Sequence, residues 1–591
     1  MTTAPLPPVA PEVTATLVEA LSPRLRKRLD AAVAKLGARP THRDGETVTI
    51  AVDDETELRL HAPGGAVVSA DAIRCGCLLA PACVHRAAAA CAAPAAEPAP
   101  APAAEPEPAP HPGRDDPDAL SVLPPETASP AERAAAEALW SAGAAVLEAG
   151  VDGAGAVAQA ALLRAAHTAR LRSLPRPAGA ALSVVTLLRA ARAGDPSYRT
   201  ADLVAALAEL LGTAHRVGRT SGPELAAVRG RARRPYRPDG SLRLYGLFTE
   251  PVVTDSGHGG VRTWVAGPDG RLWSVGDVAP GGVGRALGVA DRAVRLGDSA
   301  LTHRELGRAG LAVSGATVSP DGRLGAGKGV KAVTARGAAW TEPPLAALWE
   351  TPPSRQVVRA LRSASRDADP DGAGDLLFLD VELLGAVRES GGTCLLARCD
   401  GGVRVRLAVA DDDPALAHRD NLMLLASAPG TRLRVIGRLV PALHPRLTLL
   451  ACAHPTGQGT VDLGFDRLRR ADLPVPGARV HPAPHEPEGS GGQAPLHLLE
   501  RRVEQAVPAG RAALGMLGDV SAESHRLRRA GLPTAAGLLT ALCASAARRA
   551  RDPFGRLLPA DADGFALHWL SAARYASAVS ESLCVAAWET G

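Results

Sequence analysis

The sequence predicts a multidomain α+β protein, and three observations lead to this fold class. The chain has 591 residues, more than one hydrophobic core supports, so three to five domains are expected. Apolar residues recur with a helical period in 129–232 and 496–591, which are predicted to be helical domains. Short apolar segments separated by turn dipeptides fill 233–350 and 365–455, which are predicted to be rich in strands.

The N-terminal part divides at changes of composition. Residues 1–44 form a basic segment with a helical pattern over 11–37, and residues 45–93 form a small module that contains four of the nine cysteines. Residues 94–128 consist largely of Ala, Pro and Glu, a composition typical of an extended, disordered linker. The small module is therefore predicted to be tethered to the rest of the chain.

The helical domain over 129–232 opens with a capping signature. Ser129 is the predicted N-cap, Pro130 occupies the first helical position and Glu132 lies three residues after the cap. Glycine and proline predict breaks at 150–155, 175–177 and 195–196.

A second linker is predicted at 470–495, where Pro, Gly and His are frequent. It contains His481 and His485, and a pair of loop histidines without further ligands is more often solvated than metal-bound. The C-terminal helical domain over 496–591 follows, and it carries a basic cluster of Arg526, Arg528 and Arg529.

The most informative pattern is C-x-C-x5-C-x-H, formed within eleven residues by Cys75, Cys77, Cys83 and His85. In an extended segment residues i and i+2 project to the same side, so the first two thiolates can converge on one ion. The second pair cannot both lie inside a helix, so Cys83 is expected in a turn and His85 in the first helical turn. This arrangement predicts one tetrahedral Zn²⁺ site at a helix N-terminus.

Three thiolates and a neutral imidazole fill all four positions around Zn²⁺, and closed sites of this kind are structural. With Zn²⁺ bound, this set of ligands would have a net charge of about −1, which the neighbouring Arg74 and Arg86 could offset. The alternative is a set of ordinary free cysteines with a surface histidine; a disulfide framework is disfavoured because nothing indicates secretion. Cys91 lies about 240° round the helix from His85, so it is expected in the core.

These four residues and their spacing resemble a SWIM-type zinc finger, whose signature is C-x-C, a variable spacer and C-x-H at the start of a helix. The resemblance covers about residues 45–93 and implies a zinc-stabilised ββα finger, with strands at Thr47 to Val52 and Glu57 to His61. Such modules occur in bacterial helicases, in transposases and in free-standing bacterial proteins. They are generally taken to bind DNA or protein.

Two strand-rich regions follow the helical domain. In the first, Gly322 to Gly329 nearly matches a phosphate-binding loop, but Gly329 stands where Ser or Thr would hold Mg²⁺, so a glycine-rich hairpin is favoured. In the second, the order β-β-β-α-β-β is typical of an OB-type barrel. Its one aromatic residue is Phe378, so a structural or protein-binding role is favoured over base stacking. The run Asp411 to Asp413 before Pro414 is interpreted as an acidic helix N-cap.

One local basic cluster precedes the finger. Over residues 24–43 seven basic residues face the single acid Asp30, which gives a local charge of +6. The cluster either neutralises phosphates of DNA or RNA or forms an ordinary solvated helix face. The candidate nucleic-acid contacts are Arg24, Arg26, Lys27, Arg28 and Lys35, and Arg39 and Arg43 complete the cluster.

Composition excludes several classes of function. The net charge of +4, from 66 basic and 62 acidic residues, creates no global field for nucleic acid. No leader pattern and no run of 18 apolar residues occurs, so a cytoplasmic protein without membrane contact is expected. No complete catalytic motif is found, which predicts a non-enzyme. The sequence therefore favours an adaptor for an unknown protein partner, with DNA or RNA binding as the alternative.

Overall fold

The computed structural model describes most of the chain, and its internal contacts define two compact units. The described residues are 5–53, 55–96, 126–231, 237–254, 257–319, 322–325, 329–364, 374–389, 392–474, 494–516, 518–548, 550, 552–556, 558 and 560–589. The first unit comprises 1–232 and 494–576, and the second comprises 233–493 and 577–591. Most of both predicted linkers, with His481 and His485, and Lys328 of the glycine-rich segment lie outside the described residues.

The N-terminal module combines four helices with an antiparallel sheet of order β1-β2-β3-β4. Strands β2 and β3 alternate inward and outward residues, and their buried positions pair across the sheet. They confirm the two strands that the resemblance implies, whereas β1 is absent from the prediction. The elements are α1 (Pro11–Glu19), α2 (Pro23–Arg26), α3 (Leu29–Gly37), β1 (Thr41–Asp44), β2 (Thr47–Ala51), β3 (Glu57–His61), β4 (Ile73–Cys75) and α4 (Val84–Ala92).

Five helices follow the first linker: α5 (Pro130–Gly153), α6 (Ala156–Leu171), α7 (Pro175–Ala193), α8 (Thr200–Val217) and α9 (Gly222–Arg229). The predicted capping box at the start of α5 is confirmed, because the Glu132 N–H donates to Ser129 Oγ while Glu132 Oε2 accepts from the Ser129 N–H. The three predicted breaks also lie at helix boundaries: between α5 and α6, at the start of α7 and just after the end of α7.

The N-terminal module packs directly against α6 and α7. Ala156 and Ala160 of α6 belong to the apolar core of the module. The Ala156 N–H donates to Asp30 Oδ1 over 2.8 Å, and Arg189 donates to the Ala93 carbonyl over 2.6 Å. The module is therefore joined to the helices by a shared core in addition to the predicted linker, because small apolar side chains of α6 complete the core of the module.

A five-stranded antiparallel sheet of order β7-β6-β5-β8-β9 begins the second unit. These strands agree with the strand-rich character predicted for 233–350. The glycine-rich segment connects β8 to β9, which are antiparallel neighbours, as a hairpin requires. The elements are β5 (Arg237–Val253), β6 (His258–Ala266), β7 (Leu272–Pro280), α10 (Gly282–Ala290), α11 (His303–Leu306), β8 (Gly310–Val318), β9 (Lys331–Ala335), α12 (Ala347–Glu350) and α13 (Pro353–Ala364).

A six-stranded sheet of order β12-β11-β10-β13-β14-β15 follows. Strand β12 also pairs in parallel with β14, so the first five strands form a complete circuit of pairings. The observed order of strands and helix is the predicted β-β-β-α-β-β, with β15 added. The elements are β10 (Leu376–Glu389), β11 (Gly392–Cys399), β12 (Arg404–Val409), α14 (His418–Ala426), β13 (Arg432–Leu439), β14 (Arg446–Ala453) and β15 (Thr460–Asp462).

The acidic run before α14 is not its N-cap. The helix begins at His418 after Ala417, and no side chain caps it. Asp411 accepts from the Asp413 N–H and Asp413 from the Ala415 N–H, so both carboxylates stabilise local turns. The N-cap prediction is wrong because these turns satisfy the carboxylates before the helix begins.

Four helices complete the chain: α15 (His497–Gly515), α16 (Ser521–Arg529), α17 (Pro533–Ala547) and α18 (Ala562–Glu589). Helices α15 to α17 and the start of α18 share one apolar core with α5 to α9. Helices α5 and α15 meet at Gly150 and Gly510, each with a φ of +67°. A Cβ at either position would collide with the other helix's backbone, so both sites require glycine.

Candidate metal centre

The end of β4 and the start of α4 bring the four predicted ligands together. Cys75 is the last residue of β4, and Cys83 is the N-cap residue of α4, with His85 in its first turn. Each of these positions agrees with the prediction. The three thiols and the imidazole offer one donor atom each, and all four atoms lie within 4.8 Å of one another.

The separations suit a tetrahedral ion. The Cys75 Sγ and His85 Nδ1 atoms are 3.7 Å apart. Zinc bonds of about 2.3 Å to sulfur and about 2.0–2.1 Å to nitrogen give a tetrahedral edge of about 3.6 Å between such ligands. Nδ1 of His85 therefore lies at a separation from Cys75 Sγ that suits two ligands of one tetrahedral ion.

The electrostatics of the cluster favour a cation among the thiols. Burial, together with the nearby Cys77 and Cys83 thiols, raises the pKa of Cys75 to about 12, although a backbone hydrogen bond from Cys77 lowers it in part. Burial also raises the pKa of Cys83, while the backbone N–H of Arg86 lowers it. Thiols crowded in this way hold their protons unless a positive charge lies between them, and a divalent ion supplies that charge. The donor set fits a single metal ion that accepts thiolates.

Sequence reasoning missed the main structural role of Arg86. Its side chain is 6% exposed and donates to three backbone carbonyls, those of Ala70, Ile73 and Pro81; the contact to Ile73 and that to Pro81 are each 2.5 Å. These carbonyls belong to the segment before β4, to β4 itself and to the ligand loop. Arg86 therefore fixes the backbone on both sides of the metal ligands. The signal in the sequence, an arginine directly after a ligand, does not distinguish this role from charge compensation.

Of the two other residues singled out near the ligands, Cys91 is buried and Arg74 is exposed. Cys91 is 5% exposed in the core, as predicted, and is not part of the cluster. Arg74 is exposed, and its Nε donates over 3.4 Å to the Asp71 carbonyl.

The basic cluster lies on α2 and α3, in the segments that flank them and, at Arg43, on β1. Arg24, Lys27, Arg28 and Lys35 are exposed. Arg26 is partly buried, and its Nη2 donates over 2.6 Å to the Glu19 carbonyl. Asp30 accepts from the Ala156 N–H of α6 and pairs with Arg192 of α7, so its carboxylate has partners outside the basic cluster.

Within the part of the chain that the structure describes, no second group of three or more His, Cys, Asp or Glu side chains is arranged to hold a metal. The described helices also include none with the length and apolar character needed to cross a bilayer. Comparison with protein-family models, with curated proteins and with solved structures finds no match to this chain.

Proposed function

We propose that this protein is a zinc-binding, non-enzymatic adaptor that uses a SWIM-type zinc finger to recognise a partner protein. The observation that carries the proposal is the convergence of Cys75, Cys77, Cys83 and His85 at a strand end and a helix start. Cysteine and histidine in a four-ligand set are the donors that Zn²⁺ prefers.

A structural role for the zinc follows from the number of ligands. Four protein donors leave no position for a reactive water, whereas catalytic zinc sites keep one open. The ion would instead stabilise the loop between β4 and α4, where few large apolar residues are available. Metal binding contributes on the order of 10–16 kcal/mol in small zinc peptides.

The five-strand circuit in the second unit supports an OB-type barrel. Strands β10 to β14 have the order, the helix position and the parallel β12–β14 pairing that this fold requires. Phe378 is 2% exposed, so it offers no stacking surface for bases. A structural or protein-binding role for the barrel agrees with the adaptor proposal.

The zinc proposal is tested by metal analysis of the purified full chain. We expect about one zinc per chain, and Cys83→Ser combined with His85→Ala should abolish binding because half of the ligands are lost. Cys91→Ser is the matched control, since this buried thiol lies outside the cluster, and it should keep the metal. Retained stoichiometry in the double variant would show that other residues bind the ion.

DNA or RNA binding is the second candidate function, and the exposure of five of the seven residues of the basic cluster favours it. Titration of a labelled DNA duplex at two salt concentrations tests it. If the cluster binds phosphates, the affinity must fall steeply as the salt concentration rises. It must also fall when Arg24→Glu and Arg28→Glu are combined in one variant. Arg419→Glu, an exposed residue of the second unit, is the control. An affinity insensitive to both salt and charge reversal would end this alternative.

A further inference from the structure

A surface groove lies directly beside the metal centre. Its volume is about 690 Å³, and it separates the turn between β2 and β3 from the loop that carries the ligands. The β2–β3 turn contributes Asp53, Glu55 and Thr56, and the other side is formed by residues 76–79 and 83–85. The groove is therefore bounded by the metal centre itself.

Two leucines of the ligand loop project into solvent at this groove. Leu78 is 104% exposed and Leu79 is 60% exposed, although both lie between the ligands Cys77 and Cys83. Single exposed leucines are common, but two neighbours at the edge of one groove form an apolar surface that a partner can cover.

The loop that presents these leucines is held at several points. The Ala80 N–H donates to the Cys77 carbonyl over 3.0 Å, and Arg86 donates to the Pro81 carbonyl. A bound ion would also fix the loop at Cys77 and Cys83. A surface held in one conformation loses little conformational freedom on binding, which favours affinity.

The charge around the groove is negative. Asp53 and Glu55 are exposed carboxylates on its rim. None of the described residues that line it is Lys or Arg. Phosphates would be repelled here, whereas a basic segment would be attracted.

We propose that this groove binds a segment of the partner protein that is both basic and apolar. The apolar side chains of the segment would cover Leu78 and Leu79, and its Lys or Arg side chains would pair with Asp53 and Glu55. The inference rests on the proposed adaptor function and assigns its recognition surface. It also separates that surface from the basic cluster on α2 and α3.

The test is a selection of displayed random peptides of about twelve residues on the zinc-loaded full chain. We expect the enriched peptides to combine Lys or Arg with large apolar residues. Leu78→Ser combined with Leu79→Ser should weaken their binding about tenfold or more, the range that loss of an apolar anchor produces. Glu55→Lys should also weaken binding, by repulsion of the basic side chains. Val68→Ser is the control, because Val68 is 62% exposed on the same module outside the groove.

Enrichment of acidic peptides, absence of any enriched peptide, or binding unchanged by both groove variants would overturn the proposal. Displacement of the selected peptides by a DNA duplex would overturn it as well. Zinc analysis of each variant shows whether only the groove proposal has failed or the proposed function has failed as well. A chain that binds zinc and a peptide outside the groove retains the adaptor function, whereas a chain that binds no zinc loses both proposals.

Discussion

At the scale of single residues, Arg86 is expected to support the metal centre without being one of its ligands. Replacement by Met would leave three backbone carbonyls without their donor, that of Ile73 at a buried contact and those of Ala70 and Pro81 at partly buried ones, at a cost of about 2–4 kcal/mol. We expect Arg86→Met to release zinc to a chelator faster than the unmodified chain. Amide exchange over residues 70–92 should also accelerate.

Arg74→Met is the matched control for this prediction. Arg74 lies on the neighbouring strand with an exposed side chain, so its replacement should change stability by less than about 0.5 kcal/mol. Equal zinc release from both variants would mean that Arg86 does not fix the ligand loop.

A buried acid makes the stability of the second unit depend on pH. Asp462 is 0% exposed, and its Oδ2 has no hydrogen-bond partner among the described residues. Burial raises the pKa of Asp462 to about 7, although the charge of Arg308 lowers it in part. The Arg308 Nη2 atom lies 3.6 Å from Asp462 Oδ2 but only 2.5 Å from Asp466 Oδ2, so it pairs mainly with Asp466. In the folded chain the Asp462 carboxyl therefore stays protonated up to about pH 7, whereas in the unfolded chain it loses its proton near the ordinary pKa of 3.8. The contribution of Asp462 to stability must fall as the pH rises between these values.

Asp462→Asn should remove this dependence. The amide oxygen can still accept from the Thr249 N–H, so the variant is expected to unfold at a higher temperature than the unmodified chain at pH 8.5, with a smaller difference at pH 5. Melting curves at both pH values measure this. Asp420→Asn, an exposed carboxylate beside Arg467, should show little effect at either pH. A variant that is less stable at pH 8.5 would contradict the buried, raised pKa of Asp462.

At the scale of elements, the crossing of α5 and α15 depends on a glycine pair. Gly150→Ala would place a methyl group against the backbone around Gly510 in a conformation that disfavours side chains, so we expect a loss of about 2 kcal/mol or more. Gly179→Ala is the control, because that helical position has open space and should gain about 0.5–1 kcal/mol. Denaturant unfolding of both variants provides the measurement. A neutral Gly150→Ala would show that the helices do not approach this closely.

Local elements and the ligand set could be predicted from the sequence because short-range rules determine them. Ser129, Pro130 and Glu132 define a helix start within four residues, and the spacing of Cys75 to His85 places each ligand on its element. Contacts between distant segments could not be predicted. Nothing in the sequence around Gly510 indicates its contact with Gly150. Likewise, nothing around Asp30 indicates its hydrogen bond to the N-terminus of α6. The start of α14 was missed because Asp411 and Asp413 satisfy turns as well as caps.

At the scale of the whole molecule, the contact between the N-terminal module and α6 can be tested by cutting the chain. A protease site inserted between residues 97 and 125 allows cleavage of the first linker. The two fragments should elute together, because Ala156 and Ala160 share the core of the module and Asp30 accepts from the Ala156 N–H. Asp30→Ala should weaken this association, whereas Asp44→Ala, an exposed acid of the same module, should not. Fragments that separate without denaturant would contradict the shared core.

The division of the first unit into residues 1–232 and 494–576 has a consequence for synthesis on the ribosome. Helix α5 emerges early, but α15, which shares its core, is made only after the whole of 233–493. The second unit can gain most of its structure while the first is still incomplete, because domains fold as their residues become available. The apolar face of α5 that α15 covers therefore stays exposed in the newly made chain until α15 has been synthesised, and it is a surface to which a chaperone would bind.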